Sequence, residues 1–169
     1  EMIRLMNDDI KLGIVGGHIC EFYNGSIKKY YKSDNSVSGA VQLFRRECFE
    51  SIGGYIPIRI GGIDSAAEIC ARANGWKVKT YSDYRVIHYG QVLTGTKSKI
   101  KTMYKKGLSR YQLGYHALFH LLSCIGNAFK PPVVVGSTSM LFGYIVAAIK
   151  RKQRVLPNNI MAYLQKEQM

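Results

Sequence analysis

The pattern of hydrophobic residues changes near residue 95, and this change limits what the chain can fold into. Before that point, short apolar runs alternate with turn residues and short helical patterns. After it, apolar residues recur every three or four positions over long stretches. Alternating strands and short helices are typical of an α/β sheet domain, whereas long three- and four-residue periods indicate amphipathic helices. The sequence therefore predicts an α/β domain over residues 1–95, followed by a helical tail over residues 96–169.

The same boundary separates a nearly neutral part of the chain from a strongly basic one. Residues 1–96 contain 12 Lys and Arg and 10 Asp and Glu, a net charge of +2, whereas residues 97–169 contain 12 Lys and Arg and one acid, a net charge of +11. So dense a positive charge calls for an anionic partner. The basic residues alternate with long apolar faces rather than with stacking aromatics, and no nucleic-acid recognition motif occurs. An anionic membrane surface is therefore favoured over nucleic acid, and a basic nucleic-acid-binding module is the less favoured alternative.

The cysteines are spread through the chain without a Cys-x-x-Cys pair, at Cys20, Cys48, Cys70 and Cys124. This spacing fits neither a zinc knuckle nor a dense disulfide scaffold. No basic segment followed by an apolar one opens the sequence, so a cleaved secretory signal is not predicted. These observations predict reduced thiols in a cytoplasmic compartment.

Turn residues and capping signals outline the elements of the first part. Strands are predicted at 11–17, 19–23, 37–44, 77–81 and 84–88, helices at 2–6, 46–52 and 65–74, and a turn at Asn24-Gly25-Ser26. Gly53-Gly54 is predicted to close the second helix. In the third predicted helix, Ser65 and Glu68 form a predicted capping box, and Gly75 follows at the position where a left-handed residue ends a helix.

Helical periods dominate the second part. A basic amphipathic helix is predicted with Lys97, Lys101 and Lys105 on one face. The next helix is predicted to have a polar face of His116, His120, Ser123 and Asn127, and an opposite apolar face of Leu118, Leu121, Leu122, Ile125 and Phe129. After a break at Pro131-Pro132, residues 133–149 carry no charge over 17 residues, which is the lower limit for a spanning helix. A helix that lies in the membrane interface or packs on the domain is favoured over a span.

Asp64 is the acid best placed for chemistry, because it follows a glycine-rich loop and precedes a helix. An N-cap is the alternative role for an aspartate at this place. The predicted capping box of Ser65 and Glu68 already supplies a cap, which leaves the Asp64 carboxylate free to face a cleft. A carboxylate at the positively polarised end of a helix stays ionised at neutral pH, as a general base must.

Other candidates are basic or histidine side chains at element ends. Arg45 and Arg46 lie between a predicted strand and helix, where they either bind an anion, such as a diphosphate or a lipid phosphate, or form an exposed pair without a ligand. His88 ends a strand, a place where sheet proteins present functional groups, and a structurally satisfied histidine is the alternative. His116 and His120 are one helical turn apart without a third metal ligand, so a polar helix face is favoured there. No glycine-rich phosphate loop and no Asp-x-Asp pair occurs, so a self-contained nucleotide site has no sequence support.

The segment VSGAVQLFRRECFESIGGY, residues 37–55, resembles the second half of the catalytic domain of family 2 glycosyltransferases. In that family a Gly-Ala pair, a Phe-Arg-Arg run and a Phe-x-x-Ile-Gly-Gly-Tyr segment precede the acceptor site. A Glu-Asp pair then begins a helix, and a Gly-aromatic pair starts eleven residues after the aspartate. Asp64 and Gly75-Trp76 match this spacing, and His88 matches a histidine that often closes the region.

The resemblance continues into the basic tail and covers the chain from about Lys11 to Arg154. The tail resembles one bacterial branch of the family at Gly107, Tyr111, Gly114-Tyr115-His116, Leu118-Phe119, Pro131-Pro132, Gly136 and Gly143-Tyr144. The resemblance implies the second half of a GT-A (nucleotide-diphospho-sugar transferase) domain, followed by amphipathic helices. It also implies inverting transfer of a sugar from a nucleotide-sugar donor to a saccharide or polyprenyl-linked acceptor in bacterial cell-surface polysaccharide synthesis.

Residue roles follow from the same resemblance. Asp64 takes the general-base role, and the acceptor is expected to contact Gly53, Gly54 and Tyr55. The diphosphate is expected to contact Arg45, Arg46 and His88, and His88 is also expected near a metal. A divalent metal, Mg or Mn, is implied as cofactor, bound mainly by a half of the domain that would lie upstream of Glu1. The chain alone is therefore expected to be inactive, and its place is expected at the cytoplasmic face of the inner membrane, peripheral or weakly anchored.

Two family features are absent from the sequence. Ile63 stands where the family has the Glu of its Glu-Asp pair, and the Gln-x-x-Arg-Trp motif of processive synthases does not occur. Single-sugar transfer is therefore favoured over processive synthesis. A non-catalytic, membrane-associated interaction domain is the alternative to an enzyme.

Overall fold

The computed structural model describes residues 1–23, 26–29, 34–89, 96–129 and 134–169, and its internal contacts divide the chain into two compact units. Unit 1 comprises Glu1–Ile56 and Ile63–Val92, and unit 2 comprises Pro57–Gly62 and Leu93–Met169. The chain is a mixed α/β protein, which confirms the predicted class at that level. The predicted boundary at 95/96, the turn at Asn24-Gly25 and the break at Pro131-Pro132 lie outside the described residues.

Unit 1 holds the strands and the shorter helices of the chain. In order they are α1 (Met2–Asp8), β1 (Leu12–Tyr23), β2 (Ser26–Lys29), a 3₁₀ turn (Gly39–Val41), β3 (Leu43–Phe44), α2 (Arg46–Ser51), α3 (Ile63–Ala73) and β4 (Lys77–Tyr89). The helix predicted at 46–52 is confirmed as α2, and Gly53 and Gly54 follow it with φ of 72° and 76°. Gly75, with φ of 84°, is confirmed as the left-handed residue after α3.

Strand β1 is the centre of the sheet. It pairs antiparallel with β2 and β3, and parallel with β4. The two strands predicted at 77–81 and 84–88 form one strand, β4, with an irregularity: Gly17 lies opposite Tyr81, but the next residue, His18, lies opposite Arg85. A side chain at position 17 would overlap the carbonyl oxygen of Tyr84 in this bulge, so glycine is required there.

The strand predicted at 37–44 is wrong for most of its length. Only Leu43–Phe44 pairs with β1, and residues 39–41 form a 3₁₀ turn. The backbone N–H of Val37 donates to the Glu68 carboxylate at 2.8 Å, and the N–H of Val41 donates to the Ser38 carbonyl at 2.9 Å. Because these donors are satisfied elsewhere, the segment folds as a loop against α3 despite its β-type sequence.

The predicted capping box is also wrong. Helix α3 begins at Ile63, so Ser65 lies inside the first turn rather than before it. Glu68 is 4% exposed, and its carboxylate accepts from Val37 N–H and from the Ser36 hydroxyl. A buried carboxylate needs several donors, and the loop before the 3₁₀ turn supplies them.

The core of unit 1 lies on both sides of β1. One cluster contains Ile14, Val37, Cys48, Ala71 and Val78, and the other contains Met6, Leu12 and Val15. All four cysteines of the chain are buried free thiols. Burial raises the pKa of the Cys48 thiol to about 11, so this group stays protonated and inert at neutral pH.

Unit 2 is helical in its described residues. Its helices are α4 (Thr96–Gln112), α5 (Ala117–Gly126), α6 (Val135–Ile149) and α7 (Asn158–Gln168). Helices α4 and α6 cross at two glycines: a Cβ at Gly107 would overlap the Met140 carbonyl oxygen, and a Cβ at Gly143 would overlap the Tyr104 carbonyl oxygen. Within the described parts of the chain, none of the helices is long and apolar enough to cross a membrane.

The polar face of α5 points into unit 2. His120 is 1% exposed, and its ring stacks on Tyr144 of α6 with a centroid distance of 4.4 Å. Arg110 of α4 donates to the Ser123 hydroxyl at 2.9 Å, and its Nη1 lies 3.4 Å from the His120 Nδ1. Burial, and secondarily the Arg110 charge, lowers the pKa of His120 to about 4 from an ordinary 6.5, so the imidazole is neutral at pH 7.

The buried His120 makes the stability of unit 2 pH-dependent. Unfolding restores its ordinary pKa, so the unfolded chain binds a proton below pH 6.5 while the folded one does not until about pH 4. The associated stability is complete above pH 6.5, and is lost at about 1.4 kcal/mol per pH unit as the pH falls. We expect the amides of α5 and α6 to exchange with deuterium at least about tenfold faster, relative to intrinsic rates, at pH 5.0 than at pH 7.5.

Two variants test the source of this pH dependence. His120→Phe retains a ring against Tyr144 and is expected to flatten the dependence, whatever its effect on absolute stability. His88→Gln removes an exposed histidine of unit 1 and is expected to leave the dependence unchanged. An equal dependence in His120→Phe and the parent chain would contradict the assignment.

Candidate active site

Asp64 is the second residue of α3 and lies against the 3₁₀ turn of unit 1. The structure corrects its predicted place before the helix: the carboxylate belongs to the first turn, where the positive end of the helix stabilises a negative charge. A Cβ on Gly39 would come within 2.9 Å of the Asp64 Cβ and 3.1 Å of its Oδ2. Gly39 therefore leaves room for the Asp64 side chain beside the loop.

The Asp64 carboxylate is half-buried, and none of the residues described donates a hydrogen bond to it. The local polar contact of Asp64 is through its backbone: its carbonyl oxygen accepts from the Gln42 Nε2 at 3.5 Å. The two carboxylate oxygens are thus not committed to capping their own helix.

Gln42 links Asp64 to Tyr55 and to Glu68. Its Nε2 donates to the Glu68 Oε1 at 3.1 Å, and its Oε1 accepts from the Tyr55 hydroxyl at 2.9 Å. These partners lie 13 to 26 residues from Gln42 in the chain. Sequence reasoning missed Gln42, because no local pattern distinguishes it from any other glutamine in an apolar run.

Tyr55 is placed by the two glycines before it and by two aromatic rings. Gly53 and Gly54 turn the chain with positive φ after α2, and the Tyr55 ring packs edge-on against Phe44 and Phe49 at 5.5 and 5.6 Å. Partial burial, followed by the charges of Asp64 and Glu68, raises the pKa of Tyr55. Its hydroxyl therefore remains protonated at neutral pH and is a hydrogen-bond donor on the side of Asp64.

The buried carboxylate of Glu68 connects the groups that surround Asp64. It binds the Ser36 hydroxyl, the Val37 N–H and the Gln42 amide with one carboxylate, and Arg72 Nη1 lies 3.9 Å from its Oε2. The loop beside Asp64 and the amide that reaches Tyr55 thus share one buried anchor. Glu68 is a positioning residue, since its oxygens are committed to the protein itself.

The two arginines predicted to bind a diphosphate occupy different settings. The Arg45 guanidinium donates to the backbone carbonyls of Leu12 (3.1 Å), Met6 and Asp9 (3.3 Å). It therefore ties the end of α1 to the start of β1, and these contacts favour a structural role. Arg46 is exposed and pairs with Glu50 at 2.8 Å across one turn of α2. Their role towards a diphosphate stays a prediction.

His88 lies near the end of β4, opposite Glu21 of β1, and is exposed. Asp64 and Tyr55 are brought together by Gln42, but His88 makes none of the contacts recorded for these three residues. No group of three or more His, Cys, Asp or Glu residues that could hold a metal ion occurs in the parts of the chain that the structure describes. The role of His88 towards an Mg or Mn ion therefore stays a prediction.

Comparison of the chain with protein-family profiles, curated proteins and solved structures finds no match. A function must therefore be inferred from the α/β fold and from the contacts among Asp64, Gly39, Gln42, Tyr55 and Glu68.

Proposed function

We propose that this chain is the acceptor side of a GT-A-type, inverting glycosyltransferase. The observation that carries the proposal is the Asp64 carboxylate, half-buried at the start of α3 and free of hydrogen bonds from the described residues. A carboxylate that acts as a general base must be ionised and must lie within reach of the bound acceptor's hydroxyl group. Its oxygens must also not be taken up by hydrogen bonds within the protein. The resemblance of residues 37–55 and 64–76 to family 2 glycosyltransferases puts the acceptor base at this same aspartate.

The proposed reaction is a direct displacement at the anomeric carbon of a nucleotide-sugar. Asp64 takes the proton of the acceptor hydroxyl as that oxygen forms a bond to the anomeric carbon. The bond from the anomeric carbon to the diphosphate breaks at the same time, and the nucleoside diphosphate leaves with the bonding electron pair. Attack from the face opposite the leaving group inverts the configuration at this carbon.

Tyr55 and Gln42 are proposed to orient the acceptor beside Asp64. The protonated Tyr55 hydroxyl donates to the Gln42 Oε1 at 2.9 Å. A sugar hydroxyl that enters the site takes the place of one of these two groups and forms a hydrogen bond with the other. Because both side chains are held by ring packing or by Glu68, they offer a preformed site. Mg or Mn remains the proposed cofactor, and no step of the reaction is assigned to it.

The basic, helical unit 2 supports a membrane-bound acceptor. Residues 97–169 carry a net charge of +11, and each Lys or Arg near an anionic leaflet contributes about 1 kcal/mol of attraction. We propose a polyprenyl-linked saccharide as acceptor, and the cytoplasmic face of a bacterial inner membrane as the place of reaction. A non-catalytic membrane-associated interaction domain is the second candidate, favoured by the exposed apolar residues of α5.

A donor survey distinguishes these two functions. Protein that contains this chain at its natural length is mixed with membrane lipid extract, Mg²⁺ or Mn²⁺, and each of a set of radiolabelled nucleotide-sugars. We expect one donor to label a lipid-extractable product. If no donor labels any product while the protein still binds the lipid, the interaction domain replaces the enzyme.

A further inference from the structure

Helix α5 exposes its apolar face. The side chains of Leu118, Leu121, Leu122, Ile125 and Phe129 are between 41% and 86% exposed. They recur at intervals of three and four, so they form one stripe on consecutive turns of α5 and the residues that follow it. The opposite face of α5 carries the buried His120 and Cys124. A soluble helix normally has the reverse arrangement, so the stripe requires a covering partner.

The contacts of the inner face fix this orientation. His120 stacks on Tyr144, and Ser123 accepts a hydrogen bond from Arg110 of α4. Tyr144 also donates from its hydroxyl to the Tyr115 carbonyl at 2.7 Å, just before α5 begins. Rotating α5 to bury its leucines would break the first two interactions and take the Ser123 acceptor away from the half-buried Arg110 guanidinium. The outward apolar stripe is therefore a property of the fold.

The charge of unit 2 identifies the partner of the stripe. Unit 2 presents exposed cations at Lys99, Lys101, Lys105 and Lys106 of α4, and at Lys150, Arg151 and Lys152 after α6. Residues 97–169 contain one acid, Glu167. A second copy of so basic a unit would meet this surface with like charge, whereas an anionic lipid leaflet offers both a hydrophobic interior and opposite charge.

We propose that α5 lies in the interface of an anionic bilayer, with the stripe from Leu118 to Phe129 inserted among the acyl chains and the lysines of unit 2 at the headgroups. This inference rests on the membrane partner named in the proposed function, and it assigns the surface of the chain that docks on that membrane. It does not require sugar transfer, because lipid binding is measured without donor or acceptor.

Vesicle sedimentation with the full chain tests the stripe. Leu122→Ser combined with Ile125→Ser replaces two side chains that are each 57% exposed, and we expect the partition coefficient onto phosphatidylglycerol-containing vesicles to fall by about tenfold or more. The matched control is Ile3→Ser with Ile10→Ser, which removes two exposed isoleucines of unit 1 and is expected to leave binding unchanged. Equal loss in both double variants overturns the proposal.

An environment-sensitive label identifies the surface directly. The native cysteines are buried, so a new exposed cysteine at Leu122→Cys is labelled selectively with a nitrobenzoxadiazole dye. We expect its emission to shift to the blue with phosphatidylglycerol vesicles, less at high salt, and not with phosphatidylcholine vesicles. The same label at the exposed Asn159→Cys of α7 is expected not to shift. A label at 122 that stays in water on bound vesicles, or that is already shielded in a dimer without vesicles, overturns the proposal.

Discussion

Replacing Asp64 with asparagine is expected to lower the rate of sugar transfer by about two to four orders of magnitude, the usual contribution of a general base. The amide has nearly the shape of the carboxylate but cannot accept the proton of an acceptor hydroxyl. Because the carboxylate accepts no hydrogen bond from the described residues, its loss removes no recorded fold contact. The thermal midpoint of Asp64→Asn is therefore expected to stay within a few degrees of the parent.

The measurement is the initial rate of product formation at saturating donor and acceptor, made with protein that contains this chain at its natural length, with thermal unfolding followed in parallel. Asp83→Asn is the matched control, since it removes an exposed carboxylate of the same unit on β4 and is expected to retain full activity. A structural role for Asp64 predicts the opposite combination: lowered stability with activity reduced only in proportion to the folded fraction. That result would contradict the general-base assignment.

Sequence patterns that span a few residues predicted those elements of unit 1 whose backbone hydrogen bonds join residues close together in the chain. The helix over α2 and the left-handed Gly75 after α3 depend on residues within a few positions of each other, and both predictions hold. The class of alternating strands and helices depends on the same kind of pattern. These features are therefore readable without knowledge of the tertiary fold.

The candidate site was only partly predictable, because distant residues rearrange the segment around it. Residues 37–44 have a β-type sequence, but Glu68, 31 residues from Val37, captures its N–H and turns the chain into a loop. The same contact removes Glu68 from the capping box that its spacing with Ser65 favours. Asp64 is indicated by its place between a glycine-rich loop and a helix, and Tyr55 by the family resemblance, whereas their link through Gln42 required the structure.

The orientation of α5 shows a similar limit. Periodicity separated its polar and apolar faces correctly, but no periodicity tells which face turns inward. Arg110 and Tyr144, on two other helices, make the polar face the buried one. The apolar stripe becomes a docking surface only because these partners exist.

Gly107→Ala is expected to destabilise the α4–α6 pair by about 2 kcal/mol or more, although alanine is the better helix former. Helix propensity alone predicts a gain of about 1 kcal/mol for this change. The added methyl group, however, would overlap the Met140 carbonyl oxygen and lie 2.9 Å from both the Met140 carbonyl carbon and the Tyr144 nitrogen. These are backbone atoms of α6 that cannot move aside as a flexible side chain does, so the helices must separate at the cost of their packing.

Hydrogen–deuterium exchange of the α4 and α6 peptides measures this effect, and we expect it to accelerate about 30-fold in Gly107→Ala. Gly126→Ala is the control, because Gly126 is also a helical glycine of unit 2, at the last residue of α5, but has no atom within 4 Å of the position of an added Cβ. That variant should exchange no faster than the parent chain. If the two alanine variants exchanged at similar rates, helix propensity alone would explain their stability. The close crossing of α4 and α6 at Gly107 would then be contradicted. A large difference between them means that the two glycines fix α6 on α4, and with it the Tyr144 ring on which His120 of α5 is stacked.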